Sequence, residues 1–145
     1  VSALVLDASV VVKWVIADPA IEPHADRALH VLEGIRSGQV TAIEPPHWLA
    51  EVAAVVCRLA PRRARDVVGL LQAMDLPVSD HADLYGRACD LSVRLGAHVF
   101  DTLYHAVALS EPETTLVTAD ERYYRRALPT GRIVRLADVS LAAGP

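Results

Sequence analysis

The chain opens on an unbroken apolar run, Ala3 to Leu6, that stops at Asp7. Continuous apolar residues ending at a polar one suit a strand buried on both faces, where no alternation is required. The run over 10–16 is ambiguous between strand and helix; with Ser9 available as a cap in front of it, the pattern predicts a strand followed by a short helix. Ala25, Ala28, Leu29, Leu32 and Ile35 then recur at spacings of three and four, and Gly34 and Gly38 mark the end of that amphipathic helix. A brief strand over 40–43 stops at Glu44, where Pro45 and Pro46 turn the chain into a helix with the stripe Trp48, Leu49, Val52, Val55, Val56 and Leu59. Pro61 ends it, and Ala64, Val67, Val68, Leu71 and Met74 make a second stripe, so the two helices form a hairpin.

Further along, 76–78 reads as a short strand, and Leu84, Tyr85, Ala88, Leu91, Ser92 and Leu95 as a helix closed by Gly96. A helix from Asp101 to about Leu109, a strand over 115–118, a short Arg-rich helix over 121–127 and a last strand over 133–135 complete the series. Short apolar strands alternating with helices require a parallel sheet covered on both faces. The expected fold is therefore α/β, a three-layer α/β/α sandwich with a short central parallel sheet. In such sheets ligands bind beyond the carboxyl ends of the strands, where strand order reverses.

Composition narrows the class. Of 145 residues 52% are apolar and 22% charged, which excludes disordered tails, coiled coils and disulfide-stapled miniproteins. No repeat or linker-like stretch interrupts the chain, so 1–145 is expected to be one domain. The longest stretch free of Asp, Glu, Lys and Arg is nine residues, 102–110, against about 20 for a membrane span. Residues 1–17 are greasy but contain Asp7 and Lys13 and lack a basic leader, so they are expected to be structure and not a signal peptide. Cys57 and Cys89 have no Cys or His at metal-ligand spacing and are expected to be buried apolar side chains in a reducing, cytoplasmic compartment.

Charge complicates the picture. With 14 basic and 18 acidic residues the chain carries -4, which by itself argues against a nucleic-acid partner. Thirteen of the basic residues are Arg, gathered at Arg62, Arg63 and Arg65, at Arg122, Arg125 and Arg126, and at Arg132 and Arg135. Each group is either a solvated helix face or a phosphate-contacting surface.

Four acids stand where the fold would collect ligands. Asp7 and Asp120 follow strands, Glu51 borders the apolar face of the Pro-initiated helix, and Asp101 starts its own helix. Singly they read as turn residues, caps or solvated side chains. Sharing one rim, each pair about 4 Å apart would repel by about 4 kcal/mol at an effective dielectric of ~20. A hard divalent cation supplies the missing charge, and oxygen-only ligation suits Mg²⁺ or Mn²⁺.

These residues resemble the PIN-domain nucleases and, within them, the VapC toxins of prokaryotic toxin–antitoxin pairs. Leu6-Asp7-Ala8-Ser9-Val10, with Val12-Lys13-Trp14 behind it, is similar to that family's first motif, and the stretch from Pro46 through Ala50-Glu51-Val52 to its second. Phe100-Asp101-Thr102-Leu103-Tyr104-His105-Ala106 and Leu116-Val117-Thr118-Ala119-Asp120 are similar to the third and fourth. The resemblance implies Asp7, Glu51, Asp101 and Asp120 as an acidic quartet holding Mg²⁺ or Mn²⁺, with Asp7 and Asp101 as direct ligands. It implies Ser9 and Thr118 as hydroxyl helpers that orient a water or a carboxylate. Where the family often carries an Asn, this chain has Ala54, which bears on how Glu51 is positioned. The implied activity is hydrolysis of RNA phosphodiesters, and the implied partners are RNA, a second copy of the chain and a VapB-like antitoxin. The hairpin over 47–74 offers an interface.

With aromatics at 5% and Trp14 and Trp48 on apolar stripes, RNA would be held through its phosphates, by Lys13 and the Arg122 to Arg126 cluster. Other readings remain. His98, Asp101 and His105 could form a small zinc set, although His105 also reads as a helix-surface residue near the site, and His24, His30, His47 and His81 carry no assigned role. An aspartyl-phosphate phosphatase or receiver-like domain also places Asp at a strand end, but a phosphatase would want a second Asp where this chain has Ser9. A PIN-like fold kept as a non-catalytic binding module is the third.

Overall fold

The structure is a computed structural model that describes residues 2–16, 18, 20 and 22–141. Val1 and Ala17, the limits of the greasy opening run, lie outside the described residues, as do the last four positions of the expected domain. The elements follow in the order β1 (Ala3–Leu6), α1 (Ala8–Val15), α2 (Ala25–Arg36), β2 (Thr41–Ala42), α3 (Trp48–Leu59), α4 (Ala64–Ala73), α5 (Leu84–Leu95), α6 (Val99–Ser110), β3 (Thr114–Thr118), α7 (Glu121–Ala127) and β4 (Ile133–Arg135).

The four strands form one sheet in the order β2-β1-β3-β4, every pair parallel. Consecutive Leu4, Val5 and Leu6 of β1 are all buried, so both faces of the central strand are covered. The fold is the expected three-layer α/β arrangement. From β1 the sheet grows to one side through β2 and to the other through β3, so the order reverses between β1 and β3. The carboxyl ends of those two strands, at Asp7 and just before Asp120, are where such a sheet opens a crevice.

Several elements depart from the sequence expectations. Helix α1 begins at Ala8 and is capped by Asp7, whose Oδ2 accepts from Ser9 N at 3.0 Å. Strand β1 runs straight into the helix, leaving Ser9 inside the first turn, where its hydroxyl accepts from Ala119 N at 3.1 Å. In α2 the buried stripe is Ala25, Ala28, Val31 and Gly34; Leu29 is 41% exposed and Gly34 is an interior helix residue. Strand β2 has only two residues, and 76–78 contributes a single bridge, Glu44 to Val78, before Pro45 and Pro46 turn the chain. Helix α6 starts two residues early, at Val99, with His98 Nδ1 accepting from Phe100 N at 3.1 Å.

The hairpin of α3 and α4 is present, with Trp48, Val52 and Val56 inward and Leu59 exposed. Gly96, at φ 61, closes α5 in the left-handed conformation. Trp14 and Trp48 belong to the core, and Trp14 Nε1 donates to Ala28 O at 2.8 Å. Cys57 and Cys89 are free and exposed, on the outward faces of α3 and α5, not buried. Among the described residues no helix is long and apolar enough to cross a membrane.

Candidate active site

Asp7 follows β1 and Asp120 follows β3, so the sheet itself places both at the reversal point. Each also caps the helix it precedes. Asp7 Oδ2 accepts from Ser9 N, and Asp120 Oδ1 accepts from Tyr123 N at 3.0 Å. Capping is not an alternative to a role in the site, because it holds one carboxylate oxygen and leaves the other to the cleft. Glu51 lies in the first turn of α3 and Asp101 in the first turn of α6. All four acids line one cleft of ≈ 380 Å³, together with Ser9 and Lys13.

Thr118 is 1% exposed, and its hydroxyl accepts from Asp120 N at 3.0 Å. It therefore orients the backbone of Asp120 from behind. Ser9 performs a similar service by holding Ala119 N, and its hydrogen bonds to Asp7 favour that carboxylate's charged form. The Lys13 ammonium is 2.8 Å from Glu22 Oε2 and 6% exposed, so its charge is matched within the cleft wall.

The acids act on one another. Burial, reinforced by the charges of Glu51 and Asp101, raises the Asp7 carboxyl to about 6 despite its bonds to Ser9. Asp101 is raised by burial and then by Glu51 and Asp120, with His98 and His47 opposing. Among the described residues no three His, Cys, Asp or Glu side chains are gathered closely enough to grip a metal ion by themselves. The donors are nevertheless all oxygen, mutually repelling, and in the case of Glu51 Oε2 buried without a hydrogen bond. Mg²⁺ takes one or two carboxylates and keeps waters for its remaining positions, so this spread set suits it.

A family profile described as PIN domain matches residues 4–128. The chain belongs to the PIN-domain family. Members are in general metal-dependent nucleases, hence hydrolases, that use a divalent ion such as Mg²⁺. No curated protein sequence matches the chain closely.

Other residues expected near this PIN site fall differently. His105 is fully buried, with Nε2 2.8 Å from Gly131 O and Nδ1 2.9 Å from Tyr123 OH. Since a carbonyl only accepts, Nε2 carries the proton and Nδ1 accepts from the tyrosine. Burial lowers the pKa of the imidazole, so His105 is a neutral core residue, neither on the helix surface nor available beside His98 as a zinc ligand. Arg122 and Arg126 line a second pocket, ≈ 290 Å³, that shares Asp101 and Asp120 with the cleft and includes His98; Arg125 does not line it.

Sequence reasoning passed over three neighbours. His47 Nε2 lies 3.2 Å from Glu51 Oε2 and 3.0 Å from Phe100 O, with its ring 4.8 Å from that of Tyr104. Its i,i+4 spacing to Glu51 was the available signal. This contact and the Tyr104 wall hold Glu51, whereas Ala54 is exposed. The third, Glu44, is buried beside the end of β1 and carries no periodic signal at all.

Proposed function

We propose that this PIN domain is a divalent-metal-dependent endoribonuclease that acts as the toxin of a toxin–antitoxin pair of the VapC type. The observation that carries the reading is the convergence of four acids from two strand ends and two helix starts on one cleft at the point of strand-order reversal. RNA as substrate, a VapB-like antitoxin and a homodimer follow from the VapC-like motifs, and Mg²⁺, replaceable by Mn²⁺, from the oxygen-only donor set.

When bound, the cation supplies charge stabilisation at the scissile phosphate and a lowered pKa for water. Asp7 and Asp101 would hold it, with Asp120 and Glu51 completing its surroundings. Ser9 N on Asp7 and Tyr123 N on Asp120 fix the strand-end carboxylates before substrate arrives, which reduces reorganisation during the reaction. Glu51 is held on the cleft wall, its Oε2 buried 3.2 Å from His47 Nε2. Arg122 and Arg126 flank the same two aspartates from the neighbouring pocket and neutralise an adjacent phosphate of the chain.

Cleavage of synthetic RNA by the purified protein tests this reading. Product should form with Mg²⁺ or Mn²⁺, stop with EDTA, and be abolished in Asp7→Asn and Asp101→Asn variants that keep their circular dichroism. Full activity in Asp7→Asn overturns the assignment, and a trapped acyl phosphate on Asp7 would replace it with phosphatase chemistry. Light scattering should give twice the chain mass; a strict monomer removes the homodimer.

A further inference from the structure

Glu44 is the most deeply buried acid in the protein, with 0% exposure, and nothing in the proposed chemistry employs it. Its position explains why it is there. The last backbone rung from β2 to β1 is Ile43 N to Leu4 O at 3.0 Å. Beyond it the backbone of Glu44 turns away: its N–H donates to Pro77 O at 2.8 Å and its carbonyl accepts from Ser79 N at 2.9 Å. Leu6, also at 0% exposure, is left facing β2 with a donor and no ladder partner.

The Glu44 side chain fills that place, with Oε1 accepting from Leu6 N at 2.7 Å. From the next peptide, on the opposite flank of the strand, Asp7 N donates to Val117 O at 3.0 Å. The backbone that launches Asp7 into the cleft is thus pinned from both flanks, by β3 through main chain and by Glu44 through a carboxyl. We propose that Glu44 is a positioning residue, which sets the direction in which Asp7 leaves β1 by substituting its side chain for the withdrawn strand. The inference rests on the nuclease reading, since it is Asp7's role there that the pin serves.

Two further observations support it. Burial, with Asp7 and Glu51 adding to it, pushes the Glu44 carboxyl well above the usual range, so its surroundings disfavour a further charge beside the quartet. Its Oε2 and the Tyr104 hydroxyl are both buried, and burial together with the neighbouring Glu51, Asp7 and Glu44 carboxyls raises the tyrosine's pKa. Glu44 therefore belongs to the buried wall of the site and not to a separate ion pair.

Glu44→Gln retains the acceptor for Leu6 N and carries no charge, whereas Glu44→Met keeps the volume and deletes both oxygens. Steady-state cleavage of RNA and calorimetric titration of the protein alone with Mn²⁺ separate the two. Glu44→Met should lower kcat on the order of 10- to 100-fold with KM within about threefold, as misplacement of a reacting group does. It should also weaken Mn²⁺ about tenfold, as loss of a supporting bond to a ligand does. Glu44→Gln should recover both to within about threefold of wild type. Should Glu44→Met fail to fold, Glu44→Asp, too short to reach Leu6 N, takes its place with the same expectation. Wild-type values in Glu44→Met, or equal losses in the Gln and Met variants, overturn the proposal. A wild-type protein that neither cleaves RNA nor binds Mn²⁺ overturns the nuclease reading instead.

Discussion

Asp7→Asn should stabilise the metal-free protein while it abolishes cleavage. Burial and the charges of Glu51 and Asp101 raise this carboxyl from 3.8 to about 6, which at ~1.36 kcal/mol per unit is a ceiling of about 3 kcal/mol. Between those two values the folded protein holds more protons than the unfolded chain, so stability falls as pH rises through the window. The benefit of the neutral form is complete below the unfolded value and gone above about 6. Asparagine never ionises, and it caps a helix about as well as aspartate, so the bond to Ser9 N survives. Because Asp7 is only part-buried, about 1–3 kcal/mol is expected at pH 7.5. At about 2–4 °C per kcal/mol for a chain of this size, that is a rise of roughly 2–12 °C in Tm. Urea and thermal unfolding in EDTA at pH 4, 6 and 7.5 measure it, and the gap should close toward pH 4. Added Mg²⁺ should reverse the order, since wild type gains ~2.7 kcal/mol at a hundredfold excess over Kd and the variant gains less. A variant no more stable than wild type at pH 7.5 in EDTA, or a gap independent of pH, would show that Asp7 is not held against unfavourable surroundings.

Two other outcomes are expected. Replacing His105 by Leu strands the Tyr123 hydroxyl and Gly131 carbonyl that it bridges and should cost about 2–3 kcal/mol in urea melts. Because burial lowers its pKa, wild-type stability from this residue is complete above about 6.5 and lost as pH falls, a slope the Leu variant should lack. Arg122→Ala, exposed and in the pocket beside Asp101 and Asp120, should raise KM for RNAs of unrelated sequence alike and reduce the salt slope of binding by about 0.7; unchanged KM and slope would remove Arg122 from the phosphate path.

What the sequence made legible was what periodicity and strand ends encode. Asp7 and Asp120 could be placed because a four-residue apolar run and a five-residue β strand leave little choice of where a strand stops. Strand β1, the α3–α4 hairpin and the α5 terminus at Gly96 were legible for similar local reasons. The details hidden from the pattern were those decided by contacts distant in sequence. Leu29 and Val31 exchange places because α1 and the turn over 136–138 choose which side of α2 to cover, and no helical wheel settles that between two adjacent apolar stripes. Cys57 and Cys89 sit outward for the same reason. Glu44 was invisible because its partner, Leu6 N, is 38 residues away and is a backbone atom.

The net charge of -4 changes meaning once these contacts are counted. Subtracting the quartet leaves 14 acidic and 14 basic residues, but formal neutrality elsewhere does not say where the charge resides. Glu22 is matched by Lys13, and burial raises the Glu44 carboxyl well above the usual range, so the surroundings of both limit uncompensated charge beside the cleft. Within the cleft the negative charge therefore gathers at Asp7, Glu51, Asp101 and Asp120 on one side, with Arg58 the basic residue of that wall outside the Lys13–Glu22 pair. Arg122 and Arg126 face Asp101 and Asp120 from the other. A cation and a phosphodiester chain impose opposite demands on a surface. Here two shared aspartates form the boundary between a region that attracts the first and a region that attracts the second. That juxtaposition, and not the overall balance, makes an acidic protein compatible with a nucleic-acid substrate.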